Sequence, residues 1–289
     1  MTLLPWSHDC SAGFTLRGWH SQPSGKPLLH FIHGNGFCTR TYEPMLSLLA
    51  EDFDLWLCDM QGHGDSDHGG PFKGWNLNAE LAVEAFVAGC AIFGKVPRYA
   101  CGHSFGGVLT SLILAAHPAL FQRAVLMDPV LFPPAQILLL NLFGGLIRNP
   151  MAEGARRRRT QWPDREEAFA RLHGRGIFRG WQDDALRAHI EHALREEPGQ
   201  GVVLKCQPER EAEIFESRPR GLWRSLLQIQ TPVRLIHGTD TYPFVHQSAT
   251  RLAARNRQVT VERLPGGHCF MQEDARLAGE RVKGFLLGE

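Results

Sequence analysis

The sequence predicts an α/β fold: a largely parallel sheet with helices on both faces. Three observations carry this expectation. First, short runs of Val, Ile, Leu and Phe recur at Leu28–His33, Asp54–Cys58, Arg98–Gly102, Arg123–Met127, Pro232–His237 and Val259–Arg263. Several are nearly continuous in apolar residues instead of alternating, as strands covered on both faces are. Second, longer segments with helical spacing lie between them, an alternation that specifies a parallel sheet flanked by helices. Third, the alternation stops between Val130 and about Arg224 and then resumes, which places an insertion between two strands of one sheet.

The elements follow in order. Gly13–His20 is expected as a strand or hairpin leading into the sheet. Thr39–Glu51 is expected to be helical because Tyr42, Met45, Leu46 and Leu49 share one face. Leu77–Phe93, Phe105–His117 and Ala275–Leu287 are read the same way. Within the insertion, Pro134–Leu146, Asp164–His173, Asp183–Arg195 and Pro208–Ser217 are read as helices punctuated by Pro150, Pro163, Pro198 and Pro208, with no strand. The run Arg156–Arg159 belongs to this insertion and is read as a solvated helix face, because no wider basic patch accompanies it.

Composition narrows the function classes. Hydrophobic residues make up 43% and charged residues 21%, which excludes a disordered or fibrous chain. Lys and Arg number 31 against 30 Asp and Glu, leaving a formal charge of +1 and no field to draw in nucleic acid or anionic lipid. The seven cysteines include no CxxC pair, so neither a disulfide framework nor a metal site is expected. No signal peptide is evident after Met1. The most apolar stretch, Ala124–Ile147, is broken by Asp128 and Pro133-Pro134, so no membrane span is expected. A cytoplasmic protein with reduced thiols that works through a pocket or an interface is the simplest expectation; a small-molecule substrate and no cofactor are expected with it.

The chemistry concentrates at three places. Strand Arg98–Gly102 runs into Gly102-His103-Ser104-Phe105-Gly106 and then a helix. A G-x-S-x-G turn between strand and helix lifts the serine hydroxyl above the sheet, with glycines where strand and helix approach. Ser104 is therefore the candidate nucleophile. An attacking serine needs two N–H donors for the oxyanion. One is that of Phe105; the second is assigned to Asn35 in His33-Gly34-Asn35-Gly36-Phe37, the loop after an earlier strand. His33 is read as an anchor of that loop. The candidate general base is His268, after Gly266-Gly267 and the last strand.

With these residues assembled, the chain resembles the α/β-hydrolase fold superfamily from about Gly13 to Leu287. His33-Gly34-Asn35-Gly36 resembles the family's oxyanion loop. Asp59-Met60-Gln61-Gly62-His63-Gly64-Asp65-Ser66 resembles its D-x-R-G-x-G-x-S turn, with Gln61 in place of Arg. In the family that turn is structural, which implies structural roles for Asp59, His63 and Asp65. The resemblance further implies a twisted, mostly parallel sheet of about eight strands, built from residues 1–129 and 225–289, with residues 130–224 as a helical cap inserted after the sixth strand. Haloalkane dehalogenases and epoxide hydrolases also carry His-Gly-Asn loops. They attack with Asp at the elbow, however, where this chain has Ser104, so acyl transfer to water is the implied chemistry.

The acid that orients His268 has two candidates. The family's usual position, three residues after the glycine that follows the seventh strand, holds Thr241, and Asp240 lies one residue early. Asp128, directly after Arg123–Met127, matches the placement used by members whose acid ends the sixth strand. Asp128 is favoured and Asp240 kept as the alternative. The substrate pocket is assigned to Phe37, His103, Val130, Leu131, Phe132 and Phe244, with Ile137–Leu146 rich in Leu above it; this favours a small-to-medium apolar acyl group. Three other functions stay open: C–C bond hydrolysis, acyl transfer to another acceptor, and ligand binding without turnover. A homodimer through an exposed cap face is compatible with the sequence, which does not fix it.

Overall fold

The computed structural model describes residues 1–135, 137 and 149–289 of the chain. The expected helix Pro134–Leu146 and the apolar stretch Ile137–Leu146 lie largely outside the described residues. The core is an eight-stranded sheet formed by β1 (Leu3–Asp9), β2 (Thr15–Ser21), β3 (Leu28–Ile32), β4 (Asp54–Asp59), β5 (Arg98–His103), β6 (Arg123–Met127), β10 (Val233–Gly238) and β11 (Val259–Leu264). Their order across the sheet is β1-β2-β4-β3-β5-β6-β10-β11. The N-terminal hairpin β1–β2 is antiparallel and joins β4 antiparallel; every pairing from β4 to β11 is parallel.

The near-continuous apolar runs arise because both faces are covered. Along β3, Leu28 and Ile32 pack toward α2 (Trp75–Gly89) and α3 (Phe105–Ala116), while Leu29 and Phe31 pack toward α1 (Glu43–Leu49) and α11 (Ala275–Leu287). His30 points into the first of these layers against Phe86 and Phe121, and burial pushes its pKa down to about 3. The 3-10 turn after α2 extends it to Trp75–Phe93. Among the described residues this is the one helical run long and apolar enough to cross a bilayer, a length that Glu80 and Glu84 obscured in the sequence. Here Leu81, Phe86 and Phe93 of that run sit in the core.

Between β6 and β10 the described segment contains α4 (Pro150–Arg156), β7 (Gln161–Trp162), α5 (Arg165–Leu172), α6 (Asp183–Ala193), β8 (Leu194–Glu197), β9 (Gly201–Leu204), α7 (Pro208–Glu216) and α8 (Leu222–Gln228). The expectation of a strand-free insertion is corrected: β7, β9 and β8 form a small antiparallel sheet. These strands run only two to four residues, too short for alternation to register, and β8 carries Arg195, Glu196 and Glu197. Pro198-Gly199 was the available turn signal, and Gly199 and Gly201 both take positive φ there. Arg156, Arg157 and Arg159 of the arginine run are exposed, as expected; in addition Arg156 bonds Glu209 and Glu216 of α7 and Arg158 bonds Glu211, which ties α4 and the following turn to α7. The chain ends its fold with α9 (Pro243–Ala253), the short α10 (Phe270–Glu273) and α11.

Candidate active site

The site stands at the C-terminal ends of β3, β5, β6 and β10. Ser104 connects β5 to α3 with φ 53° and ψ −112°, in a region side chains rarely adopt. The glycines around it are sterically required. A Cβ on Gly106 would lie 2.2 Å from the Ile32 carbonyl oxygen, and one on Gly102 would lie 2.4 Å from that of Gly106. The sharp turn therefore exists because strand and helix can touch without side chains.

The parallel register sets Ile32 of β3 beside Gly102 of β5, so the loop after β3 lies against the serine turn. Gly106 N–H donates to the His33 carbonyl at 3.1 Å, which ties the two loops directly. Asn35 lies in this loop, and its side-chain Nδ2–H donates to the Glu211 carbonyl of α7 at 3.0 Å. Phe105 is the first residue of α3, where a helix leaves its N–H groups without intrahelical partners.

Histidines brace the Asn35 loop from beneath. His33 Nδ1–H donates to the Gly34 carbonyl, and its Nε2 accepts Met60 N–H at 3.0 Å. His63 Nε2 accepts Gly36 N–H at 3.1 Å, and its Nδ1–H donates to the Gln61 carbonyl. Burial holds both rings below the usual histidine range, so they remain neutral braces. Asp59 accepts from the backbone and hydroxyl of Thr39 at 2.7 and 2.8 Å, fixing the start of the next helix. Asp65 pairs with Lys205 at 2.7 Å. Gln61, standing where the resembling turn has Arg, donates to the carbonyls of His68, Gly69 and Pro71. A guanidinium does arrive there from α7: buried Arg210 reaches the carbonyls of His68 and Gly70 and pairs with Glu213.

His268 comes in after β11. Its loop packs on the end of β10, where a Cβ on Gly238 would lie 2.2 Å from the Gly267 carbonyl oxygen. Gly266 takes φ 113°, and Gly267 N–H donates to Glu273. The imidazole lies with Nε2 2.9 Å from Ser104 Oγ and Nδ1 2.7 Å from Asp128 Oδ1. Asp128 is fully buried with φ 43°, and it also accepts Gly238 N–H at 2.9 Å and Thr241 Oγ1–H at 2.6 Å. Three donors thus converge on a carboxylate that can only accept. The carboxylate fixes the proton on His268 Nδ1 and turns the Nε2 lone pair toward the serine hydroxyl.

Asp240 is not part of this group. It is exposed, and its contribution is a backbone N–H donated to the Gly266 carbonyl. Thr241, at the position where the resembling family usually keeps its acid, hydrogen-bonds the carboxylate that arrives from β6. Sequence reasoning missed this threonine because a hydroxyl at an acid's position looks like loss, not support.

The residues assigned to a pocket divide. His103 is fully buried behind the serine turn, with both ring nitrogens engaged, so it belongs to the frame beneath the site. Leu131 is buried in the hydrophobic cluster that includes α2 and α3. Phe37 packs among Trp181, His189 and Tyr42. Val130 is half-buried, as are Phe132 and Phe244, whose rings stack at 5.1 Å. Tyr242, which the sequence did not single out, continues that stack from Phe244 to within 5.1 Å of the His268 ring. Among the described residues the one cluster with metal-ligand chemistry, His8, Cys10 and Glu84, lies on the N-terminal hairpin and α2.

A strained serine at a strand-to-helix turn, paired with a histidine after the last strand over a mostly parallel sheet, defines an α/β-hydrolase-fold protein. The family model described as the alpha/beta hydrolase family matches residues 31–280. The chain belongs to that family. Among solved structures, E-2-(acetamidomethylene)succinate hydrolase superposes over 100% of both chains with a TM-score of 0.78 and 19% identity. The abhydrolase domain-containing protein AKT2 of Alternaria alternata is 31% identical over 112 residues, 39% of this chain and 38% of that protein. The serine hydrolase-like protein of Homo sapiens is 29% identical over 131 residues, 45% of this chain and 59% of that protein. The matched stretches thus span about two fifths to three fifths of those relatives' lengths.

Proposed function

We propose that the chain is a serine hydrolase that cleaves a carboxylic ester or related acyl compound through an acyl-enzyme intermediate. The observation that carries this reading is the aligned series Ser104 Oγ, His268 Nε2, His268 Nδ1 and Asp128 Oδ1, with separations of 2.9 and 2.7 Å. His268 takes the proton as Ser104 attacks the substrate carbonyl. Asp128 steadies the imidazolium that forms, and the N–H groups of Phe105 and Asn35 receive the oxyanion. One such donor is worth about 10²–10³ in kcat. His268 then gives its proton to the leaving group, and an incoming water, deprotonated by the same ring, releases the acyl group.

The segment 130–224 serves in this reading as the cap over the site, with residues 1–129 and 225–289 as the core. Its α7 touches the Asn35 loop through Glu211, and Trp181 packs against Phe37 at 5.5 Å between ring centres. The half-buried rings of Phe132, Phe244 and Tyr242 beside His268 support a small-to-medium apolar substrate group. The names of the relatives, serine hydrolase-like protein among them, point the same way.

The test is covalent capture with a fluorophosphonate together with hydrolysis of a chain-length series of p-nitrophenyl esters. Labelling of Ser104 that is abolished in Ser104→Ala, with turnover of the shorter esters, is the expected result. A wild-type protein that neither labels nor hydrolyses any ester of the series sinks the proposal and favours a ligand-binding role.

A further inference from the structure

Tyr42 and His103 touch no reacting atom in this mechanism, yet they join the two loops that do the work. Both side chains are fully buried. The His103 ring lies beside that of His268, with centres 4.9 Å apart, and its Nε2 is 2.9 Å from the His268 backbone carbonyl oxygen. A carbonyl only accepts, so Nε2 carries the proton and Nδ1 is left with its lone pair. That Nδ1 lies 2.6 Å from the Tyr42 hydroxyl, which must therefore donate to it. The hydroxyl oxygen in turn accepts Gly34 N–H at 3.0 Å. The directions are fixed throughout: Gly34 N–H to Tyr42, Tyr42 O–H to His103, His103 N–H to His268 C=O.

We propose that Tyr42 and His103 form a positioning relay that holds the loop carrying Asn35 and the loop carrying His268 at a set separation across Ser104. The relay rests on the assignment of Ser104 and His268 as nucleophile and base. Gly34 is part of the fit, since a Cβ there would lie 2.8 Å from His103 Nδ1. Burial holds His103 well below the usual histidine range and Tyr42 well above the usual phenol range, so neither ring changes charge across the working pH range. An oxyanion donor and a base that must act on the same substrate carbonyl are thereby registered to each other as well as to the sheet.

The test compares Tyr42→Phe, His103→Leu and His103→Gln, with kcat normalised to the fraction of Ser104 that a fluorophosphonate titrates. Tyr42→Phe keeps the ring and deletes the central hydroxyl. It is expected to lower kcat per labelled site about tenfold with KM within about twofold, the scale of one lost buried hydrogen bond. His103→Leu is expected to lose at least as much. His103→Gln, whose amide can still donate to the His268 carbonyl, recovers most of the loss. The double variant Tyr42→Phe/His103→Leu is no worse than the worse single change, because both cut one chain. Unchanged per-site kcat in Tyr42→Phe overturns the relay, as does a loss accounted for by fewer labelled sites or by a matching rise in KM. Those outcomes require an active, labelled wild type; a wild type without labelling or turnover overturns the serine-hydrolase assignment instead.

Discussion

The sheet and the segment inserted between β6 and β10 are held together by different means. In the sheet, backbone ladders and glycine contacts fix the parts. The serine turn meets the Asn35 loop through Gly106, and the His268 loop meets β10 through Gly238. In the inserted segment, ion pairs join one element to the next, over an apolar packing in which Trp162, Leu186 and Ile190 share a cluster with Leu29 and Phe31 of β3. Arg156 joins Glu209 and Glu216, Arg165 joins Glu191 and Glu196, and Arg187 joins Glu166. The site residues therefore hang on backbone geometry that tolerates little change, while the inserted segment adds ion pairs that can be exchanged one at a time. Among the described residues it touches the site through the Glu211 carbonyl on Asn35, Glu211 beside Gly36, Trp181 and His189 on Phe37, and Phe132 on Phe244.

The largest effect expected from this contrast lies at the end of β6. Asp128→Asn should reduce kcat about 10⁴-fold, as loss of the orienting acid does in Ser-His-Asp sites. Asp240→Asn should leave kcat near the wild-type value. Steady-state kinetics on one ester decides it, and the reverse ranking would move the acid from β6 to the turn after β10.

A methyl group on Gly106 comes next. With a backbone oxygen 2.2 Å from the new carbon, Gly106→Ala should cost about 3 kcal/mol, at the upper end for overpacking. Urea unfolding measures it; a cost under about 1 kcal/mol would show that the strand-to-helix contact gives way more easily than a packed interior does.

Arginines of the inserted segment sharpen the comparison on its other side. Arg210 is buried, and Arg210→Met removes its bonds to the carbonyls of His68 and Gly70 and its pairing with Glu213, so it should cost roughly 2 kcal/mol in the same assay. Arg156→Ala, at an exposed pair, should barely move the unfolding midpoint. Equal costs for the two would erase the distinction between buried anchor and exposed tie.

A pH effect is spread over both regions. His30 in the sheet and His189 in α6 are pushed by burial to about 3, below the ordinary histidine value of 6.5. Their folded forms stay neutral while the unfolded chain binds protons. Their stability contribution is thus complete above pH 6.5 and declines as pH falls toward 3. His33, His63 and His103 act in the same direction. Urea midpoints taken from pH 7 down to pH 4 should fall, and His30→Leu should flatten the decline. A slope unaltered by that substitution would mean His30 does not take part.

Legibility in the sequence followed the same divide. The six apolar runs sit within a residue or so of β3, β4, β5, β6, β10 and β11, because strands buried on both faces leave a continuous apolar signature. The G-x-S-x-G turn could be read because steric contact demands its glycines. The small sheet of the inserted segment could not, since strands as short as Gln161–Trp162 carry no period. Nor could the roles of Tyr42 and Thr241. Tyr42 scored as one more apolar face residue, and Thr241 as a missing acid. Both act through single hydroxyls whose partners, Gly34, His103 and Asp128, are assembled only by the fold.

The strand order also has a consequence for synthesis. β6 pairs with β5 on one side and on the other with β10, whose first residue is made 106 positions after the last of β6. At roughly 5–20 residues per second, the flank of β6 stays unpaired on the ribosome for on the order of ten seconds while the inserted segment emerges. Throughout that interval Ser104 and Asp128 have been made but His268 has not, so the nascent chain carries both ends of the hydrogen-bonded series before the ring that joins them exists.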